Sequence, residues 1–301
     1  MIQFDGHSAT VCSLAFSPNS LLLAGGAKDG WVRIWDAAGE VVQGISRSEI
    51  SPCNAVVWMP SGEWLTHADV NLLRSLGPFP ASGDRWAQLQ TGFTLETVSS
   101  LGYVTSSLLA VGTGKRNEAS QGSLFLWDAE KRKERPVPTA IRGANGVRAI
   151  ATHPPTKRLH WITGLPNTPT CVWRSWCITS PNATDVKLGK PAAAITVSPD
   201  GETVAIATDW LVKVFNVDGK SRIELTGHKG IVSAIGFVNG GRTVVSASWD
   251  ETVRLWDVAT GKETARFLLG IGKLTALTVS PDGTRIAVGG TDGPIVLIDA
   301  E

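Results

Sequence analysis

The sequence lacks the continuous apolar run of roughly 18 residues that a membrane-spanning helix requires. It also lacks an excess of either charge, because 28 basic side chains are balanced by 27 acidic ones. A general nucleic-acid binder carries a large basic excess, so we expect neither nucleic acid nor a membrane among the partners. The amino-terminal residues show no cationic stretch followed by an apolar block. We therefore expect no secretion signal and a cytoplasmic location.

Cysteine is scarce and scattered along the chain. The four residues are Cys12, Cys53, Cys171 and Cys177, and no pair has the two-residue spacing of a zinc knuckle. We expect reduced, buried thiols rather than disulfides or a metal site. The chain is 43% hydrophobic and 18% charged, a composition that excludes intrinsic disorder.

Glycine and proline are frequent and mark a repeat. A short apolar run, a turn rich in Pro, Gly or Asn, and a second apolar run recur along the chain, most clearly around Ser-Pro-Asp-Gly at 198–201 and 280–283. The second residue of each turn falls at positions 18, 60, 105, 154, 199, 239 and 281, which are 40 to 49 residues apart. Seven copies at this spacing account for all 301 residues and predict one repetitive domain over residues 1–301, with copies two to four the most degenerate.

Each copy has the pattern of short β-strands. In the sixth copy, residues 232–237 and 243–248 flank a turn, and residues 252–257 follow a tight corner. β-Branched residues are dense and no segment keeps a helical period, so we predict an all-β chain of four-stranded antiparallel sheets. One such sheet cannot bury both of its faces alone, which predicts a closed ring of seven sheets.

The sixth and first copies carry a specific motif. It consists of a Gly-His pair before the first strand, an Asp in the corner, and a Trp-Asp pair that ends the third strand six residues after the corner Asp. The residues are 227–228, Asp250 and 256–257 in the sixth copy, and 6–7, Asp29 and 35–36 in the first. This motif resembles the WD-repeat family of β-propellers, which implies a single seven-bladed propeller.

The resemblance implies a buried hydrogen-bond network within a blade. The Trp256 indole would donate to Ser246, Ser246 would meet His228, and Asp250 would hold His228. A catalytic Ser-His-Asp set is the alternative, but Trp256 would occupy the space that an acyl group needs. The first blade has His7, Asp29 and Trp35, but Gly25 replaces the serine.

The other copies retain only parts of the motif. The Trp and corner positions are assigned to Trp127 in the third copy, Trp173 in the fourth, Asp209 with Phe215 in the fifth, Asp292 with Ile298 in the seventh, and Asp69 in the second.

The two ends of the chain predict how the ring closes. The seventh copy ends with its third strand, whereas Ile2–Phe4 precede the first Gly-His pair as residues 223–225 precede the sixth. We predict that residues 2–4 form the outer strand of the last blade, which removes two exposed sheet edges.

The first strand of each blade would line the central channel. These strands contain no Asp, Glu or His, and Arg148 is their one charged residue. Acid–base and metal-assisted chemistry need convergent carboxylates or imidazoles, so we predict no enzyme, no cofactor and no metal. The predicted strands are residues 11–16, 53–58, 98–103, 147–152, 192–197, 232–237 and 274–279.

The resemblance also implies a binding face. Partners would contact the residue before each corner Asp and the residues just after each Gly-His pair. In blades 5, 6, 7 and 1 these positions bring together lysines and two tryptophans, a combination suited to an acidic or phosphorylated peptide. The predicted contacts are Trp249, Lys229, Ile231, Lys273, Lys28, Thr10, Trp210 and Lys190, with Ile271, Thr291, Ser8, Gly189, Pro191 and Thr208 around them.

We therefore predict a monomeric, non-catalytic scaffold that presents its loops to a protein or peptide. Two alternatives stay open. One is a propeller enzyme or small-ligand binder at the channel mouth, which turnover or a ligand in the channel would favour. The other is a nucleic-acid-associated subunit, which salt-sensitive retention on DNA would favour.

Overall fold

Seven four-stranded antiparallel sheets form the blades of a propeller, which confirms the predicted fold class. The structure is a computed structural model that describes residues 1–4, 6–36, 38–46, 52–68, 73–77, 86–89, 97–114, 122–138, 146–164 and 170–300. Asp69, predicted as the corner residue of the second blade, lies outside these residues.

The chain starts with β1 (Ile2–Phe4), which belongs to the last blade, and continues through blades 1 to 4. The strands are β1 (Ile2–Phe4); β2 (Val11–Phe16), β3 (Leu22–Ala27), β4 (Trp31–Asp36) and β5 (Val41–Ser46) in blade 1; β6 (Ala55–Trp58), β7 (Leu65–Ala68), β8 (Leu73–Leu76) and β9 (Trp86–Leu89) in blade 2; β10 (Thr97–Tyr103), β11 (Leu108–Gly114), β12 (Leu124–Asp128) and β13 (Lys133–Arg135) in blade 3; and β14 (Val147–His153), β15 (Arg158–Thr163), β16 (Val172–Cys177) and β17 (Ala183–Lys187) in blade 4.

Blades 5 to 7 complete the ring. The strands are β18 (Ala192–Val197), β19 (Thr203–Thr208), β20 (Leu211–Asn216) and β21 (Ser221–Thr226) in blade 5; β22 (Val232–Val238), β23 (Thr243–Ser248), β24 (Thr252–Asp257) and β25 (Glu263–Leu268) in blade 6; and β26 (Leu274–Val279), β27 (Arg285–Gly290) and β28 (Ile295–Asp299) in blade 7. Three-residue 3₁₀ helices at Pro154–Thr156 and Asn239–Gly241 follow two inner strands. In the described ranges no helix has the length and apolarity to cross a membrane.

The amino-terminal strand closes the ring, as predicted. β1 pairs antiparallel with β28, in the register Ile2 with Leu297 and Phe4 with Ile295. Phe4 is buried and stacks on Trp35 of blade 1, with 6.3 Å between ring centroids. The outer strand of blade 7 therefore also packs against the next blade.

Local sequence explains the turns between the first and second strands. At Ser198–Gly201 the Gly201 N–H donates to the Ser198 carbonyl at 2.9 Å, and Gly201 has a φ of +77°. Pro at the second position fixes its own φ, and Gly at the fourth adopts the left-handed conformation at low cost. All seven marker positions predicted from the sequence lie between the first and second strand of a blade.

Apolar contacts between neighbouring blades make up the core. In the described part of the chain the buried side chains form seven clusters, and each cluster draws its members from two adjacent blades, including blades 7 and 1. Each Å² of apolar surface that these contacts bury contributes about 25 cal/mol to folding. The contacts are therefore the main source of stability. Each blade thus buries its faces against its neighbours.

One third-strand position faces the preceding blade all around the ring. The fourth-blade prediction of Trp173 at this position is wrong, because Trp176 pairs with Leu159 as Trp256 pairs with Val244. Trp173 lies three residues earlier on the opposite face and packs toward blade 5. In chain order the residues at this position are Trp35, Leu76, Trp127, Trp176, Phe215, Trp256 and Ile298.

Side chains at one equivalent position, within or just before the inner strands, link neighbouring blades. The register shifts at this position in six of the inner strands, for example between Val232 and Ala234. Such a bulge turns the intervening side chain out of the regular alternation. The hydrogen bonds to the carbonyl of the next blade are Asn54 to Val98 at 3.4 Å, Ser99 to Val147 at 2.6 Å, Ser233 to Leu274 at 2.7 Å and Thr275 to Val11 at 2.7 Å.

One inner strand is longer than predicted, and the added residue is a histidine. β14 extends to His153, so one inner strand does contain a histidine. His153 Nδ1 lies 2.7 Å from Thr156 Oγ1, and its Nε2 lies 3.0 Å from the Pro199 carbonyl oxygen. Both ring nitrogens therefore bind the turns at the end of the strand rather than the channel.

Loss of the Thr275 hydroxyl should weaken the ring at its seam. Thr275→Val keeps the side-chain shape but removes the bond to the Val11 carbonyl, so we expect the free energy of unfolding to fall by about 1 kcal/mol. Urea unfolding measures the effect, with the exposed Thr226→Val as the matched control. Equal stability of the two variants would contradict a structural role for this bond.

Acid should destabilise the fold through buried His160. Burial, with smaller contributions from the nearby Arg158 and His153, lowers the pKa of His160 to about 3. Between pH 7 and pH 5 the unfolded chain takes up a proton at this histidine and the folded chain does not. Linkage then removes about 2 kcal/mol of stability. Urea unfolding of His160→Gln at both pH values should show a loss smaller by that amount. An unchanged pH dependence would be the contrary result.

Candidate functional site

The motif residues of blade 6 form one continuous hydrogen-bonded network. Trp256 Nε1 donates to Ser246 Oγ at 2.8 Å, and Ser246 Oγ lies 2.8 Å from His228 Nε2. His228 Nδ1 lies 2.9 Å from Asp250 Oδ2. A carboxylate only accepts, so Nδ1 carries the imidazole proton and the Ser246 hydroxyl donates to Nε2. Every member is thereby satisfied.

Asp250 anchors this network to the corner of the blade. It accepts bonds from the Lys229 N–H at 2.9 Å and from the Thr252 hydroxyl at 2.6 Å. Burial alone would raise the pKa of Asp250, but the hydrogen bonds from Thr252, Lys229 and His228 outweigh it and hold the pKa well below its usual range. Burial lowers the pKa of His228 despite the neighbouring carboxylate, so its imidazole is neutral at pH 7.

This arrangement does not suit nucleophilic catalysis. Ser246 is fully buried, and the Trp256 indole and His228 both contact its hydroxyl. A catalytic serine needs an accessible oxygen and space for a tetrahedral intermediate. Among the described residues, no group of three or more His, Cys, Asp or Glu could hold a metal ion.

Blade 1 holds an incomplete version of the network. His7 Nδ1 lies 3.1 Å from Asp29, but Gly25 offers no hydroxyl. A Cβ atom at Gly25 would lie 2.9 Å from the Trp35 ring, so the indole occupies the space that a serine would need. Neither His7 Nε2 nor Trp35 Nε1 has a hydrogen-bond partner among the described residues.

Two arginines of this motif were not predicted. Arg254 is buried and lies 2.9 Å from Glu263 and 3.5 Å from Asp250. Arg33 lies 3.1 Å from Asp29, the corner Asp of blade 1, just as Arg254 lies near the corner Asp of blade 6. Their signal in the sequence is the shared spacing, since each precedes the motif tryptophan by two residues.

The predicted binding face centres on the corner of blade 6. Trp249 is 42% exposed and Ile231 is 37% exposed, and the Trp249 N–H donates to the Ile231 carbonyl at 2.9 Å. Lys273 of blade 7 places its ammonium 5.2 Å from the centre of the Trp249 ring. This cation–π contact joins two neighbouring blades at the surface. Lys229 is exposed beside them.

The remaining predicted contacts lie on the flanking blades. Thr10 of blade 1 donates to the Thr291 carbonyl of blade 7 at 3.5 Å, and the Lys28 N–H donates to the Thr10 carbonyl. Trp210 is 59% exposed in blade 5. Within the described residues, the side chains of Lys28, Lys190 and Trp210 make no hydrogen bond, ion pair or ring contact. Blades 7 and 1 are therefore joined by a hydrogen bond at this face.

Two surrounding positions differ from the prediction. Ile271 is only 2% exposed, because it packs into the cluster between blades 6 and 7. Thr208 is fully buried at the end of β19. The corner of blade 5 contains two residues instead of three, so Asp209, with a φ of +51°, occupies the turn itself. Neither Ile271 nor Thr208 therefore belongs to the exposed face.

Comparison with known proteins agrees with this architecture. Residues 1–36 and 219–257 match the family described as WD domain, G-beta repeat. An uncharacterized WD repeat-containing protein of Synechocystis is 37% identical over 99 residues, which cover 32% of this chain and 28% of that protein. The seven blades make the chain a β-propeller, and the motifs matched in blades 1 and 6 are similar to those of WD-repeat proteins.

Fungal relatives match a similar length of the chain. Periodic tryptophan protein 2 homolog of Schizosaccharomyces pombe is 32% identical over 106 residues, and periodic tryptophan protein 2 of Saccharomyces cerevisiae is 30% identical over 110 residues. These segments cover 34% and 36% of this chain but only 12% of each relative. The matched segments thus span less than a third of every relative named above.

A double-mutant cycle tests the network of blade 6. Ser246→Ala leaves the buried Trp256 N–H and His228 Nε2 unsatisfied, and each such group costs about 1–3 kcal/mol. Trp256→Phe removes the donor and leaves Ser246 bound to His228. We expect the double variant to lose at least 1 kcal/mol less in urea unfolding than the sum of the two single losses. Additivity within about 0.3 kcal/mol would show that the two side chains are not coupled.

Proposed function

We propose that this propeller is a non-catalytic interaction platform that binds a protein or peptide carrying an acidic or phosphorylated segment. The observation that carries the proposal is the exposed Trp249 ring beneath the Lys273 ammonium, with Ile231 and Lys229 beside it. Exposed tryptophan is enriched in binding hot spots, and a cation already positioned over it adds a partner for an anionic side chain.

The rigidity of the corner supports the same proposal. The Trp249 backbone is held by Ile231, and the neighbouring Asp250 accepts bonds from the buried network and from the Lys229 N–H. A surface fixed in this way loses little conformational entropy on binding. A peptide would therefore meet a preformed anchor rather than a flexible loop.

The sign of the charge on this face supports an anionic partner. Lys229, Lys273 and Lys28 are exposed around blades 6, 7 and 1 and outnumber the exposed Glu251 and Asp292 of the same corners, whereas Asp250 is engaged by its own blade. A local positive surface on a chain of net charge +1 steers acidic partners without attracting polyanions in general.

A peptide array tests this proposal directly. The purified chain is applied to matched ten-residue peptides in neutral, acidic and phosphorylated forms, and we expect retention of the acidic or phosphorylated forms. Trp249→Ala with Lys273→Ala should weaken binding by about 30-fold, the effect of losing one hot spot. Its melting temperature should stay nearly unchanged, because both side chains are at the surface.

The matched control is Leu268→Ala with Lys262→Ala, which removes one exposed apolar side chain and one lysine from the outer part of blade 6. It should bind as the wild type does. Equal binding by both double variants, or retention of neutral peptides alone, would refute the proposal. Turnover of a substrate by the wild type would instead favour the enzyme alternative.

A further inference from the structure

We propose that the central channel contains a binding site for a small free oxyanion of the phosphate or sulfate class, with Arg148 as its charged donor. The middle of the ring is a cavity of about 230 Å³, and residues of all seven inner strands line it. Arg148 is the one charged residue among these lining residues. This site is separate from the binding face proposed above.

Arg148 lies at a position that links neighbouring blades in other inner strands, but its own side chain forms no such link. It occupies the bulged position of β14, and at the same position of their own strands Ser99, Ser233 and Thr275 bind the next blade. Among the described residues, no hydrogen bond or ion pair involves the Arg148 side chain, and its Nε is buried without a partner. Arginine cannot lose its proton in a protein, so the positive charge stays in the cavity.

The neighbouring blade supplies a second donor. Ser100 of β10 lines the same cavity, and its Oγ accepts the Ile150 N–H at 3.0 Å. An oxygen that accepts this bond still has its own hydrogen to donate. Ser13, also in the lining, accepts the Val56 N–H at 3.1 Å in the same way. The cavity thus combines a permanent positive charge with hydroxyl groups that still have a hydrogen to donate.

The rest of the lining is neutral. It consists mostly of small residues, such as Ala149, Ala194 and Ala234, which leave room at the axis. At roughly 30 Å³ for each water molecule, the cavity has space for an oxyanion together with some of its hydration. An oxyanion offers several acceptor oxygens to guanidinium and hydroxyl donors, so this class fits the donors present better than a cation or an apolar ligand does.

Thermal unfolding in phosphate and in chloride, at equal ionic strength and pH, tests the site. In 50 mM phosphate we expect the melting temperature of the wild type to rise by about 2–5 °C over chloride. Arg148→Met should lose most of this difference. Exposed Arg135→Met removes the same charge from an outer strand and should keep it. General salting-out by phosphate acts on all three proteins and cancels in the comparison.

Line broadening of the ³¹P signal of inorganic phosphate provides a second readout on the intact chain. Wild type should broaden the signal, sulfate should reverse the broadening, and Ser100→Ala should reduce it. Equal phosphate responses of wild type and Arg148→Met would overturn the proposal. If Arg148→Met does not fold, a wild type that neither gains stability in phosphate nor broadens the signal would overturn it equally.

Discussion

The rest of the structure depends on one repeated contact. In each blade, one side chain of the third strand packs against the preceding blade. The residue is tryptophan in four blades and Phe, Leu or Ile in the others, yet it is buried in every case. Because every blade needs a neighbour on both faces, the contacts must continue around a full circle. The pairing of β1 with β28 completes that circle and brings Phe4 onto Trp35.

The polar network of blade 6 is secondary to this apolar contact. Blade 1 folds against the same surfaces although Gly25 breaks its network, and blade 7 has Ile298 where the tryptophan would stand. The network instead fixes a corner. Its effect reaches the surface because Asp250 binds both His228 and the backbone of Lys229. The buried part of the motif and the exposed Trp249 are therefore parts of one corner.

Features set by local chemistry could be predicted from the sequence. The Pro and Gly residues of the turns at 198–201 and 280–283 have a direct conformational effect, and the apolar pattern of Ile2–Phe4 indicated the closing strand. Features that depend on strand pairing could not be predicted from the sequence. Trp173 and Trp176 are both aromatic and lie three residues apart, so only the pairing of Trp176 with Leu159 decides which faces blade 3. The bulges that turn Ser99, Arg148 and Ser233 toward the next blade or the channel leave no pattern in composition or periodicity.

The most direct test of the closed ring is amide hydrogen exchange in the wild-type chain. The amides that join Ile2–Phe4 to Ile295–Leu297 should be protected to the same order as those of β23 and β24 in the interior of blade 6, because opening the seam would expose the faces of two blades. Rapid exchange at these seam amides beside strong protection in blade 6 would contradict the closed ring.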